Sequence, residues 1–309
     1  MDIAITLTAA PLHARRLLDI AAALQRDFNG ALEFRWLGQG EAIDLILPSP
    51  GGEPQTPAAE KAELAPVKDM VLQAVGNRPV DWCVQPAEGR RKRMLIADMD
   101  STIIGQESLD EIADLKGIKP EIAALTERAM RGELDFADAL RERMRLLSGV
   151  TEAGLRRVLG ERISLNPGAR ALVETMKANG AHTVLVSGGF TFFTGAVAEK
   201  AGFAANYGNV LLWEQGRVSG VAEPILGREA KREALEREAA AHGISPEEAI
   251  AAGDGANDLA MLNAAGLGVA YRAKPIVAAG ADAQIRYTDL TTLLYFQGYA
   301  RESFSFAGL

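Results

Sequence analysis

Cysteine is almost absent from this chain: Cys83 is the only one among 309 residues. A single cysteine excludes an internal disulfide and leaves no cysteine-based zinc cluster, and Cys83 is most simply interpreted as a small core residue. Long apolar runs are also missing, since no stretch reaches the roughly 18 residues of a membrane span. Because no basic segment followed by an apolar one opens the sequence, we expect a soluble, cytoplasmic protein.

An excess of positive charge is lacking as well. Asp and Glu outnumber Lys and Arg by 41 to 33, which gives a net charge of -8 at pH 7. This balance argues against nucleic acid or an anionic membrane as a partner. It does not exclude a small phosphate substrate, because a small anion responds to the local field of its site. The length of 309 residues, 48% of them apolar, suggests about two domains with ordinary cores.

Residues 1–86 form one predicted domain with the element order β-α-β-β-α-β, which is typical of a ferredoxin-like α+β sandwich. We expect its second helix, at 58–75, to break before Pro66. The order resembles that of ACT-type amino-acid-binding domains, although the turn at 9–13 lacks the Asp-Arg-Pro-Gly-like sequence that such domains often carry there. Three roles stay open for this unit: it could bind an effector, pack against the rest of the chain, or form a homodimer.

A short basic segment follows. Residues 87–93 are predicted to be a linker, and the four basic side chains at 90–93 are interpreted as a solvated connector. Beyond it, the apolar run at 94–97 predicts a buried strand. Helical periodicity at 107–160 predicts an inserted helical cap, and strand-turn-helix units then recur.

The fold class that we predict is therefore α/β. A doubly wound parallel sheet, built from residues 94–106 and 161–309, would form the core and carry the cap, with the N-terminal α+β domain ahead of it.

Two carboxylates stand at the end of the strand at 94–97. Asp98 and Asp100 are spaced so that they face the same way in an extended chain. The carboxyl ends of parallel strands are where open α/β sheets place their ligands. Because two adjacent anions repel each other, the pair indicates either a bound divalent cation or one protonated acid.

Three further stretches carry polar groups at strand ends. Ser187-Gly188-Gly189 lies between a predicted strand and a helix, where a hydroxyl, backbone N–H groups and the helix end can bind phosphate. Asp254-Gly255-Ala256-Asn257-Asp258 follows another buried strand, although Asp and Asn there also suit a helix cap. Lys231 lies in a predicted helix and by itself is most simply a solvated charge.

Four segments together resemble the four motifs of the haloacid dehalogenase (HAD) phosphohydrolases. They are DMDST at 98–102, which fits the pattern D-x-D-S-T, VSGGF at 186–190, Lys231, and GDGAND at 253–258. The resemblance covers about residues 94–290. It implies that Asp98 is the nucleophile, which forms an aspartyl-phosphate, and that Asp100 is the general acid and base. It also implies a Mg²⁺ cofactor held by Asp98, the main-chain carbonyl of Asp100, and Asp254.

The same resemblance assigns the groups that hold the phosphoryl. Ser187, Gly188 and Lys231 would bind it, with help from Asn257. Asp258 would orient Lys231 or the metal shell.

Within this family the pattern D-x-D-S-T-x-x-x-x-E and the segment at 140–147 are similar to the enzymes that hydrolyse O-phosphoserine to L-serine and phosphate, the last step of L-serine biosynthesis. That similarity implies that Glu107 pairs with the substrate ammonium and Arg143 with its carboxylate. From the residues alone, Arg141 and Arg145 are equally open for the second role.

Two other functions stay open. The protein could act on a different small phosphomonoester, because the four core motifs would be the same. It could instead be a non-enzymatic amino-acid sensor that works through residues 1–86. Phe136 and Met130 are either apolar walls of a substrate pocket or part of the cap core.

Overall fold

The computed structural model of the protein describes residues 1–48, 56–130, 133–227 and 229–305. Part of the loop predicted at 48–57 lies outside these ranges, and so does the side chain of Met130. The strands are β1 (Ile3–Thr8), β2 (Glu33–Gly38), β3 (Ala42–Leu47), β4 (Asp81–Pro86), β5 (Met94–Asp98), β6 (His182–Phe190), β7 (Ala205–Asn209), β8 (Leu211–Glu214), β9 (Arg217–Val221), β10 (Ala249–Gly253), β11 (Leu267–Tyr271) and β12 (Ala283–Ile285).

The helices are α1 (Ala14–Asp27), α2 (Pro57–Val75), α3 (Ser108–Lys116), α4 (Lys119–Met130), α5 (Phe136–Leu147), α6 (Glu152–Glu161), α7 (Ala169–Ala178), α8 (Thr191–Ala201), α9 (Ala230–His242), α10 (Leu259–Ala264), α11 (Pro275–Gly280) and α12 (Thr292–Phe296). Within the described ranges no helix is long and apolar enough to cross a membrane.

One ten-stranded sheet runs through the molecule in the order β2-β3-β1-β4-β12-β11-β10-β5-β6-β7. The strands from β12 to β7 are parallel, as predicted for the core. The strands from β2 to β4 are antiparallel and show the ferredoxin-like order. A single antiparallel pair, Trp82 with Gln284, joins the two parts.

Strand β5 lies in the middle of the parallel part and is buried on both faces. Met94 and Ile96 pack into one apolar cluster, and Leu95 and Ala97 pack into another. Such two-sided burial explains why the strand reads as a continuous apolar run. Its neighbours are β10 and β6, so the ends of the three strands that carry the acidic and glycine motifs meet at one edge.

The helices α3 to α6 follow the turn after β5, in the region predicted to form the cap. The side chain of Thr151 accepts a hydrogen bond from Gly154 N and caps α6, as expected for that residue. The hairpin β8–β9 meets the cap at the bridge between Thr151 and Arg217. The limits of the cap, core, linker and N-terminal domain remain predictions.

The predicted break in α2 is wrong. The helix runs without interruption from Pro57 to Val75, with Pro66 inside it. Pro66 and Ala62, whose carbonyl loses its helical partner, both lie on the exposed face. Water can therefore satisfy that carbonyl, which reduces the cost of the proline.

The predicted linker is not solvated throughout, because Arg90 is only 7% exposed. Its guanidinium donates two hydrogen bonds to the fully buried Asp44 of β3, at 3.2 and 2.5 Å. Thr6 Oγ1 donates to the same carboxylate at 2.7 Å, and Arg35 reaches it from the surface at 2.8 Å. A buried carboxylate needs such partners, which explains why this basic residue turns inward.

We predict that Arg90→Ala destabilises the protein far more than Arg35→Ala. Removing the buried partner leaves the Asp44 charge poorly compensated and should cost about 3–5 kcal/mol. The half-exposed Arg35 pairs with the same carboxylate and should cost about 1 kcal/mol or less. Urea unfolding of both variants measures the difference, and equal losses would contradict this account of the buried pair.

Candidate active site

An acidic cluster lies where β5 and β10 end. Carboxylate oxygens of Asp98, Asp254 and Asp258 lie within 4.8 Å of one another. Asp98 is the last residue of β5, and the other two belong to the turn after β10, the neighbouring parallel strand. The sheet register therefore brings together two motifs that are more than 150 residues apart in the chain.

Lys231 connects two members of this acidic cluster. Its Nζ lies 2.6 Å from Asp98 Oδ1 and 2.5 Å from Asp258 Oδ1, and the residue is only 4% exposed. Burial alone would lower the pKa of Lys231, but the two carboxylates outweigh burial and raise it. Lys231 is thus a fixed buried cation. It is not the solvated helix charge that its sequence position, considered without the other motifs, suggests.

Asp258 uses both carboxylate oxygens within the protein. Oδ1 accepts from Lys231, while Oδ2 accepts from the backbone N–H groups of Asp254 at 3.1 Å and Gly255 at 2.9 Å. A Cβ on Gly253 would lie 2.5 Å from Asp258 Cγ, so the strand end needs glycine there. Asp258 therefore orients the lysine and the turn.

The cluster carries more negative charge than its lysine neutralises. Burial, followed by the charge of Asp258, raises the pKa of Asp98 well above its usual value despite the attraction of Lys231. Burial and Asp258 also raise the pKa of Asp254 to about 6, even though Thr102 Oγ1 donates to that carboxylate at 3.2 Å. A divalent cation would relieve this repulsion. Asp98 and Asp254 offer the hard anionic oxygens that such an ion prefers, so the donor set fits one.

The carboxylate of Asp100 has different partners. Its Oδ1 accepts from Ser108 N at the start of α3 at 2.6 Å, and its Oδ2 accepts from Ser187 Oγ at 2.9 Å. Ser187 Oγ in turn accepts from Gly189 N at 2.8 Å. These bonds hold the carboxylate of Asp100 between the cap and β6.

The glycine motif is part of a strand, not of the predicted turn. Strand β6 continues to Phe190, and its pairing with β7 shifts register between Val186 and Phe190. Ser187, Gly188 and Gly189 lie at this irregularity, which changes the direction of the strand end. A Cβ on Gly188 would lie 3.1 Å from Phe136 Cζ, so Phe136 of α5 covers the strand end from the cap.

Glu107 lies on the connection from β5 to α3, directly before the helix. Its Oε1 accepts a 2.6 Å hydrogen bond from Ser101 Oγ. Ser101 has a φ of 56°, in the left-handed region, within the sharp turn after β5. One face of Glu107 is open to solvent, but the surrounding protein and the charge of Asp100 raise its pKa to about 7.

The three arginines of α5 differ in their surroundings. Arg141 pairs with Glu223 at 2.7 Å on the surface, and Arg145 pairs with an acid of its own helix. Arg143 is half-buried and donates only to the carbonyl of Ala139, at 3.0 Å, among the hydrogen bonds described. Burial lowers the pKa of Arg143. The charge of Asp110 acts against this lowering, but Arg143 forms no ion pair with a carboxylate in the described part of the chain, unlike the other two arginines.

Asn257 is half-buried in the turn after β10, beside Gly255. Its side chain has no hydrogen-bond partner among the described residues. The structure thus brings the predicted residues of the four motifs to one sheet edge. It leaves Asn257 and Arg143 with unused donors.

One residue that the sequence did not point to is Asn209, at the end of β7. It is 2% exposed, donates to Gly188 O at 2.9 Å and accepts from Leu226 N at 2.8 Å. Asn209 therefore fixes the glycine strand end to the segment that leads to Lys231. The sequence feature that could have indicated Asn209 is its position as a polar residue at the carboxyl end of a parallel strand.

The fold and this site define a class of protein: an α/β enzyme whose strand-end aspartates, lysine and glycine strand are suited to cation-assisted chemistry on a phosphate group. The chain belongs to the haloacid dehalogenase-like hydrolase family, whose model matches residues 95–263.

Some known proteins are similar to about two thirds of the chain and others to nearly all of it. A phosphoserine phosphatase of Albidiferax ferrireducens is 47% identical over 208 residues, which are 65% of this chain and 88% of that protein. The crystal structure of a HAD family hydrolase from Salmonella enterica serovar Typhi covers 97% of this chain and 99% of its own, with a TM-score of 0.79 and 30% identity. A substrate-bound phosphoserine phosphatase structure covers 66% of this chain and 98% of its own, with a TM-score of 0.62 and 35% identity.

We predict that Asp254→Asn removes most of the stabilisation by Mg²⁺. Because Asp98 and Asp254 present anionic oxygens side by side, MgCl₂ should raise the melting temperature of the EDTA-treated wild type, and the variant should lose most of that rise. Differential scanning fluorimetry measures the shift. Asp69→Asn, which removes the same charge from the exposed face of α2, should keep the rise. An undiminished rise in Asp254→Asn would place the cation elsewhere.

Proposed function

We propose that the protein is a Mg²⁺-dependent phosphoserine phosphatase, which converts O-phospho-L-serine to L-serine and phosphate in the last step of L-serine biosynthesis. The observation that carries this proposal is the buried arrangement of Asp98, Lys231 and Asp258 at the sheet edge, next to Asp100 and the glycine strand. The phosphoserine phosphatases among its relatives support the choice of substrate.

Asp98 is the nucleophile in this proposal. Its carboxylate attacks phosphorus, a new O–P bond forms, and the bond from phosphorus to the serine oxygen breaks, which leaves an aspartyl-phosphate. The attack requires ionised Asp98. Lys231 at 2.6 Å favours that form against burial and the charge of Asp258.

Asp100 is the general acid and base. It protonates the departing serine oxygen and then takes a proton from the water that hydrolyses the aspartyl-phosphate. Its carboxylate is held by Ser108 N and Ser187 Oγ, and this fixed orientation lets one group serve both half-reactions.

Mg²⁺ would be held by Asp98, the Asp100 main-chain carbonyl and Asp254, and it supplies the positive charge that lets an anionic nucleophile approach an anionic phosphate. Asp258 keeps Lys231 in place from the other side.

The phosphoryl group would be bound by Ser187, Gly188, Lys231 and Asn257. Phosphoryl transfer depends mainly on positioning and on stabilising charge, and the lysine with the free amide of Asn257 suits both. Losing one such donor should cost on the order of 3 kcal/mol in the barrier, by analogy with an oxyanion-hole donor.

Substrate recognition would lie with the cap. Glu107 would pair with the ammonium of phosphoserine and Arg143 with its carboxylate, in a two-bonded fork. The desolvated guanidinium of Arg143 supports this choice over Arg141 and Arg145, whose charges are already paired. Phe136 would form an apolar wall over the glycine strand end. A cytoplasmic location and a homodimer through the N-terminal unit stay predictions of the sequence.

The first test is phosphate release from O-phospho-L-serine and from a panel of other phosphomonoesters, with Mg²⁺ and with EDTA. We expect metal-dependent turnover that prefers phosphoserine. Asp98→Asn, a nearly isosteric change, should lower kcat by on the order of 10⁴-fold or more while leaving the melting temperature similar. Normal turnover in Asp98→Asn would exclude it as the nucleophile, and turnover of the other esters alone would exclude phosphoserine as the substrate.

The cap residues are tested with two substrates. Arg143→Ala should lower kcat/KM for phosphoserine by about 30-fold or more, since losing a buried charged partner costs about 2 kcal/mol or more. Glu107→Gln should act in the same direction. Neither should lower turnover of an aryl phosphate as much, because that ester lacks both charged groups.

Arg145→Ala, on the exposed face of the same helix, is the matched control and should leave kcat/KM nearly unchanged. Equal losses on both esters in the cap variants would mean that these residues support the fold and do not select the substrate.

A further inference from the structure

Histidine is rare in this chain, yet two of its three histidines stand in one cluster. The rings of His182 and His242 stack with a centroid distance of 3.7 Å and an interplanar angle of 20°. Both lie beside the carboxylate of Glu238. His182 begins β6, while the other two residues lie near the end of α9, so the cluster is at the opposite edge of the sheet from the acidic site.

The donor atoms of these three side chains all lie within 4.8 Å of one another. His182 Nε2 is 2.7 Å from Glu238 Oε2, and His242 Nδ1 is 4.0 Å from the same oxygen. Neighbouring ligand atoms in a tetrahedral zinc site are about 3.4 Å apart, given metal–ligand bonds of about 2.0–2.1 Å. The separations are thus close to those of a metal site for His182 and Glu238, while His242 would have to turn toward them.

Glu238 is prepared as a ligand. The residue is 8% exposed, and Tyr207 donates a hydrogen bond to its Oε1, while Arg237 lies 4.4 Å from the centre of the Tyr207 ring. With Oε1 bound by Tyr207, the other oxygen, Oε2, faces both imidazoles, so the tyrosine orients the carboxylate as outer-shell partners do in metal sites.

His242 is the adjustable member of the cluster. Its side chain is 43% exposed, whereas that of His182 is 12% exposed. Two stacked rings do not aim their nitrogens at one point, and His242 Nδ1 now bonds to Glu238 O at 2.9 Å. A rotation of this exposed ring would release that bond and turn a nitrogen toward the other two donors. The same exposure gives an ion a path in and leaves room for a water ligand.

We propose that His182, Glu238 and His242 form a second metal site, which takes a transition-metal ion of the Zn²⁺ class with water as the fourth ligand. Two imidazoles and one carboxylate suit such an ion, whereas the all-oxygen acidic cluster suits Mg²⁺.

The ion would act on the framework of the fold, because its ligands lie away from the acidic cluster. Glu238 follows Lys231 by seven residues on α9, a distance of about 10 Å along the helix. The ion joins the first residue of β6 to the last turn of α9, and the other ends of these elements carry Ser187 and Lys231. It therefore stabilises the framework of the acidic site without touching the substrate.

Metal binding by the full chain tests the proposal. Chelator-treated protein is titrated with Co²⁺ and with Zn²⁺ in excess Mg²⁺, so that the acidic cluster is filled. We expect one equivalent of Co²⁺ to bind with the visible absorption of a four-coordinate ion, and Zn²⁺ to displace it and raise the melting temperature. His242→Ala should weaken binding by more than about 100-fold, since losing only an outer-shell partner already costs 10- to 100-fold.

The controls distinguish binding at this cluster from binding elsewhere on the chain. His13→Ala removes the remaining histidine of the chain and should bind as the wild type does. His182→Gln tests the buried ligand, and circular dichroism of each variant shows whether it is folded. Wild-type protein that binds no Co²⁺ under these conditions, or a folded His242→Ala that binds it unchanged, overturns the proposal. The readout is metal binding, so its outcome is independent of phosphatase activity.

Discussion

The structure depends on burying several carboxylates beside one lysine at the edge of a parallel sheet. Asp98 and Asp258 share Lys231, and Asp254 lies close enough to raise the repulsion further. Buried carboxylates need hydrogen-bond donors, and Asp258 accordingly accepts from two backbone N–H groups in addition to Lys231. The remaining negative charge is available to a cation and to chemistry. The repulsion that makes the site costly in the folded state is therefore the same property that makes it useful.

The N-terminal unit is attached by polar contacts that are themselves buried. Asp81 of β4 accepts backbone hydrogen bonds from Arg286, Tyr287 and Thr288, which follow β12, at distances of 2.8–3.1 Å. Gln85 donates to Phe296 O at 2.7 Å, so a second part of the same strand is fixed. These bonds make the antiparallel strands an extension of the catalytic sheet. The N-terminal unit is therefore joined to the rest of the molecule both through the sheet and through α12.

The site residues that could be predicted from the sequence are those that their neighbours along the chain identify. Asp98 and Asp100 lie in one turn, and Asn257 and Asp258 in another, so strand ends and spacing point to them directly. Arg143 could not be separated from its neighbours, because what distinguishes it is which face of α5 packs inward. Asn209 was missed since its partners, Gly188 and Leu226, come from other segments. The prediction of a break at Pro66 was wrong because helix propensity does not depend on which face of the helix is exposed to solvent.

The cap has a property that bears on substrate choice. Glu107 has no cationic partner among the residues described, and Arg143 has no anionic one, although both are partly withdrawn from water. A ligand with only one charge would pair with only one of these groups. In the proposed function, a zwitterion would pair with both while its phosphate lies at Lys231. Sites that leave polar groups unpaired discriminate strongly against ligands lacking the matching group. If the proposed roles of Glu107 and Arg143 hold, the preference for an amino-acid phosphate would come from two opposite charges that an ester without an ammonium and a carboxylate cannot both pair.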